Sequence, residues 1–225
     1  MTRRQTNGFT LIEMLTVLVI IGILLGAALP AVTHLMKSSG LNVATREVAN
    51  TLSLARQLAI TQRVYARVVF PYSKTGSQPD MWYRTYAVMT NNDSTATLTW
   101  KYVSKWEYLP VGVVFLNPNP IGILPLPAGT GALDDAASLK WEALLPFPDT
   151  NLGDNGTLCY IEFNPTGVAT PLTADSITPS ALVLTEGFTS AGVPTATSRT
   201  ITNTLANYST ITVDALVGRI QVTRP

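Results

Sequence analysis

The chain has 225 residues, 46% of them hydrophobic, and its 15 Lys and Arg against 14 Asp and Glu leave a formal net charge of +1. That length fits one globular domain with accessory segments. The charge is split, with seven basic and two acidic residues in 1–70 but eight basic and twelve acidic in 71–225, which argues against a dedicated nucleic-acid-binding domain.

Much of the apolar excess lies at the start. From Phe9 to Leu29 there are 21 residues of which only Glu13 is charged. As a helix this stretch spans roughly 31 Å, the thickness of a bilayer core. Arg3 and Arg4 precede it with no acid, so the positive-inside rule places the N-terminus in the cytoplasm and the remainder across the membrane. A cleaved secretory signal is the alternative, because "LLGAALPAV" offers small residues. The long apolar run and Glu13 in its midst speak against it. An acid here costs roughly 2.5–3.5 kcal/mol at the bilayer centre and less near the interface, so Glu13 is either solvated at the headgroups or paired.

"GFTLIEML" after a short basic leader resembles the class III signal of type IV prepilins and type II secretion pseudopilins. The resemblance takes in Gly8, Phe9, Glu13, the apolar run and Pro30 at its end. It implies cutting by a prepilin peptidase between Gly8 and Phe9, then N-methylation of Phe9. It also implies that Glu13 pairs with the Phe9 amine of a neighbouring subunit, a buried carboxylate acting as a register device. Gly22 and Gly26 have the spacing of close helix packing, and Pro30 predicts a kink or local unwinding.

Residues 31–63 read as an amphipathic stem helix with a weak spot at "KSSG". Leu41, Ala44, Val48, Leu52, Ala55 and Ala59 recur at three- and four-residue steps, the stripe that packs on a head domain. His34, the single histidine, reads as solvated or interfacial. "LSLARQLAITQRVYARVVF", where a helix containing Ala55-Arg56 runs straight into a strand, resembles H-type minor pseudopilins (the GspH/FimT family).

Beyond residue 63 the pattern is β. "VYARVVF", "WYRTYAVMT", "ATLTWKYVSKWEYLP", "GVVFL", "GTLCYIEF", "SALVLTEGF" and "STITVDALVGRIQV" predict about eight short strands. Residues 117–156 read as a long loop region rich in Pro, Gly, Asn and Asp. "IEFNPTGVA" and the closing "GRIQV" again resemble the H-type family, in its strand with a following turn and its last hairpin. The aromatic residues Trp82, Tyr83, Tyr86, Trp100, Tyr102, Trp106 and Tyr108 read as core, with alternate ones on one side of the strands. Cys159, the one cysteine, cannot form an internal disulfide and reads as a buried small hydrophobe.

Little else carries chemistry. The head has no histidine to partner a nucleophile. Asp149, Asn151, Asp154 and Asn155 could offer oxygens to calcium, but their order does not fit an EF-hand and Asx/Gly runs make turns. No cofactor or metal is expected. Some related pilins that bind DNA carry "GRxR" near their end. Here the sequence is "GRIQ", so a DNA reading rests on Arg219 and Arg224, with Gln221 in place of the second arginine.

The expected fold is therefore α+β, type IV pilin-like, with a long helix, transmembrane then amphipathic, packed on an antiparallel β-sandwich. The expected division is a leader at 1–8, a transmembrane and polymerisation helix at 9–30, the stem at 31–63 and the head at 64–225. The resemblance implies a non-enzymatic minor pseudopilin or pilin in a type II secretion or type IV pilus system. It would sit in the bacterial inner membrane with its head periplasmic, and later at a filament tip. Its implied partners are the prepilin peptidase, other minor and major subunits, the inner-membrane assembly platform and the lipid bilayer, not nucleic acid. The alternatives are a DNA-binding minor pilin and a major filament subunit.

Overall fold

The computed structural model describes residues 10–72, 79–92, 100–116, 140–147, 155–169, 180–190, 193–197 and 207–224. The chain divides into two compact units, Met1–Ser39 and Gly40–Pro225. Helix α1, Leu11–Gln62, runs unbroken in its backbone through both Pro30 and the "KSSG" stretch. In the first unit its described side chains are almost all apolar and exposed, with Leu11 at 82% and Leu18 at 69%.

In the second unit the stripe expected from periodicity is buried: Leu41, Ala44, Val48, Leu52, Ala55 and Ala59 are all 3% exposed or less. Each of the larger members contributes about 1.5–3 kcal/mol by leaving water. The helix ends where Arg63 adopts φ +54° and the Val64 amide donates to the Ala59 carbonyl at 3.2 Å. This is a Schellman stop. It turns the chain directly into a strand, as "LAITQRVYARVVF" suggested.

Eleven strands follow among the described residues, all paired antiparallel. The first sheet is built from β1 Tyr65–Phe70, β2 Thr85–Asn91, β3 Lys101–Tyr102, β4 Glu107–Tyr108, β6 Lys140–Pro146 and β7 Asn155–Phe163. Its order is β3-β2-β1-β7-β6, with β4 also paired to β2. The second holds β5 Val113–Phe115, β8 Ser180–Ser190, β9 Val193–Ala196, β10 Tyr208–Val213 and β11 Ile220–Thr223. Its order is β11-β10-β8-β5, with β9 also paired to β8. This is the expected α+β arrangement of a long N-terminal helix and antiparallel sheets. One core gathers the helix stripe with Val68, Phe70, Cys159, Ile161 and Phe163 of the first sheet and Phe115, Leu182, Leu184, Ile211 and Val213 of the second.

Two expectations need correction. Residues 117–156 are not all loop, because β6 lies inside them and β7 begins at Asn155. β6 is an edge strand with a register shift between Glu142 and Leu145, a position that tolerates Pro146. The aromatic residues also divide between two clusters. Trp82, Tyr83 and Tyr86 join the main core, whereas Trp100, Tyr102 and Trp106 pack with Val69, Met89 and Phe147 in a second cluster. Tyr108 is 54% exposed. Strand pleating sends neighbours to opposite faces, so one run of aromatic residues feeds both.

The second cluster contains an ion pair. Arg67 and Glu162 stand opposite each other in the β1–β7 register, with Arg67 Nε 2.7 Å from Glu162 Oε2 and both side chains nearly buried. The guanidinium lies between two rings, 3.8 Å from the centre of Trp100 and 4.0 Å from that of Tyr160. The ring faces supply part of the negative potential that water would otherwise give.

Candidate functional site

The first candidate region is the start of α1. Gly8 and Phe9, the expected cutting and methylation positions, lie outside the described residues, as do the calcium candidates Asp149, Asn151 and Asp154 and the side chains of Pro30, His34 and Asn155. Glu13 is described. Thr10 Oγ1 accepts from the Glu13 amide at 3.3 Å. Glu13 Oε2 in turn accepts from the Thr10 amide at 3.0 Å and from the Thr10 hydroxyl at 2.9 Å. This reciprocal pattern is a capping box. It satisfies donors that the first helical turn leaves open. Glu13 thus has a local task in its own helix, and among the described residues only Oε2 is engaged in it. The pattern Thr-x-x-Glu before an apolar run was the signal that sequence reading passed over.

Farther along, a Cβ added at Gly22 or Gly26 would meet nothing within 4 Å. The two glycines leave a shallow strip on a helix whose side chains are otherwise bulky and exposed. Among the described residues no helix is long and apolar enough to cross a membrane. The described side chains of this half run from Thr10 to Gly26, and the span expected from the sequence continues to Leu29.

The second region is where the three distant pieces of the H-type resemblance converge. Arg56 of α1 donates through Nε to the Gly167 carbonyl and through a terminal guanidinium nitrogen to the Val217 carbonyl, both at 2.9 Å. Gly167 closes the turn after β7. There Asn164 Oδ1 accepts from the Thr166 amide, the Thr166 hydroxyl and the Val168 amide. Gly167 sits at φ +80° with Ile60 so close that a Cβ would lie 2.5 Å from its Cδ1. Val217 belongs to the hairpin between β10 and β11, where Asp214 Oδ1 accepts from the Leu216 and Val217 amides. Gly218 there has φ +62°, and a Cβ on it would collide with the Gly167 carbonyl oxygen. "AR", "NPTG" and "GR" are thus one structural joint: an arginine fork and two glycines without room for side chains.

The structure does not bring the two proposed DNA-contact residues together. Arg219 and Gln221 share one face, and with the Gln221 amide oxygen turned toward Arg219 it accepts from Nε at 2.8 Å. Strand alternation sends Ile220, Val222 and Arg224 the other way. Ile220 packs on the main core. Val222 and Arg224 line a groove of about 500 Å3 against Thr45, Arg46, Ala49 and Asn50 of α1.

A third feature is Tyr86 of β2, 1% exposed. Burial pushes its phenol up, as do the charge and hydrogen bond of Glu107 opposite it and the charge of Glu47 on α1. A hydrogen bond with Thr51 acts in the other direction. The hydroxyl ties β2 and β4 to the stem helix.

Comparison with known proteins agrees at the N-terminus. Residues 3–29 match the family model described as the prokaryotic N-terminal methylation motif. Among solved structures, the type IV minor pilin FimU of Pseudomonas aeruginosa is similar at 12% identity and a TM-score of 0.38, over 85% of this chain and 96% of that one. No curated protein sequence matches.

Proposed function

We propose that this chain is a pilin-type structural subunit, a minor pseudopilin or pilin made as a prepilin. In this reading the prepilin peptidase cuts between Gly8 and Phe9 and Phe9 is N-methylated. The helix then holds the subunit in the inner membrane, N-terminus cytoplasmic and head periplasmic, until the assembly platform passes it to other subunits. The observation that carries the reading is the methylation motif at residues 3–29, which from Leu11 lies on a helix whose described apolar side chains are exposed. So much apolar surface on one helix calls for lipid or other helices around it. Gly22 and Gly26 suit close approach of such a helix. The Glu13 carboxylate, held in place by Thr10, suits the methylated amine of a neighbouring Phe9.

The role is structural rather than catalytic. Initiation or capping of a type II secretion pseudopilus or a type IV pilus follows from the H-type features gathered at Arg56. Mass spectrometry of the N-terminal peptide, from cells with and without a prepilin peptidase, tests the proposal. A chain beginning at methylated Phe9 only when the peptidase is present is expected. A chain still beginning at Met1 beside active peptidase, or cut near residues 28–31, would overturn it.

A further inference from the structure

The groove beside β11 has chemistry that the filament reading leaves unused. Among the described residues β11 pairs only with β10, so its outer edge is open. An open edge offers a row of backbone donors and acceptors to an incoming extended chain. Val222, 46% exposed, gives the groove an apolar floor. Arg46 on the α1 wall and Arg224 at the end of the strand are both exposed. Among the described residues neither has a carboxylate partner, whereas Arg67 has Glu162. Among the described residues no acid lines the groove. Glu47, the acid nearest in sequence, acts instead on Tyr86.

We infer that the open edge of β11, with Arg46 and Arg224, is a docking site for an extended acidic segment of another protein, added as a further strand of the second sheet. On the face of the added strand that meets the groove, a small apolar side chain would lie over Val222, and a carboxylate two residues along would meet the guanidiniums. An oligonucleotide would also answer the charge, but it has no use for a strand edge and an apolar floor. Gln221 of this strand faces the other way, and with its amide oxygen turned toward Arg219, just ahead of the strand, it accepts from that guanidinium.

The test uses the full chain in detergent micelles. The probe is a fluorescent ten-residue peptide of repeating Val-Thr-Glu-Thr, which sets valine and glutamate in turn along one face, with the same peptide carrying glutamine for glutamate and a single-stranded oligo-dT as comparators. Binding of the glutamate peptide is expected to weaken with salt. It should also fall about tenfold when Arg46→Ala and Arg224→Ala are combined, given two partly exposed ion pairs. Lys105→Ala, an exposed charge elsewhere on the head, should leave binding unchanged. Amide exchange at residues 220–223 should slow when the peptide is bound. Equal binding by the double variant, no gain in amide protection, or capture of oligo-dT in preference to the peptide would each overturn the inference.

Discussion

Replacing Arg56 with alanine tests whether the joint between stem and head is held by a forked donor or merely by packing. The side chain makes two charge-assisted bonds at 2.9 Å, the one to Gly167 partly buried and the one to Val217 exposed. Hydrogen bonds involving a charged group are worth about 1.5–3 kcal/mol each, and exposure reduces the second to about 1 or less. A loss near 2.5 kcal/mol is therefore expected for Arg56→Ala. In a domain of this size that lowers Tm by roughly 5–10 °C. Arg56→Lys keeps the charge but, as a point donor, reaches one carbonyl well, so it should recover about half. Urea unfolding of the full chain in micelles, followed by tryptophan fluorescence, reads both values. A loss below about 0.5 kcal/mol for alanine, or full recovery by lysine, would refute the forked-donor account.

Two further predictions concern buried charge and pH. Glu162→Gln leaves the Arg67 guanidinium buried without its counter-ion and should cost about 3–5 kcal/mol, whereas combining Arg67→Met with Glu162→Leu should recover most of that in the same unfolding assay. The Tyr86 phenol is held above its ordinary value of about 10, so its contribution is present in full below pH 10 and is lost as pH rises toward the folded-state value. The stability gap between the native chain and Tyr86→Phe should shift against the native chain by about 1.4 kcal/mol per pH unit above pH 10. Parallel pH profiles for the two proteins would show that the phenol is not held there.

How much was legible in advance depended on the range of the signal. The stem stripe from Leu41 to Ala59 was readable because helical periodicity is local and every member enters the core. The class III segment was readable because it is contiguous. β6 was missed because "KWEALLP" is flanked by turn-forming residues and survives as a strand only through β7 beside it. The Arg67–Glu162 pair joins positions 95 residues apart, and neither strand by itself says which charge on another will face it. The convergence on Arg56 lies between these cases. Its pieces were recognised, but nothing in the linear chain says that a helix arginine reaches two distant carbonyls.

The separation of those carbonyls has a bearing on the order of events in biosynthesis. Arg56 is bonded to groups 111 and 161 residues later in the chain. Contacts of such range close late, because the loops they shut are long. During vectorial synthesis the apolar half of α1 emerges first, while the hairpin at residues 214–219 is still unmade. The N-terminal segment is therefore presented as a nascent chain whose stem is not yet fastened. The last turn of the head is what locks it.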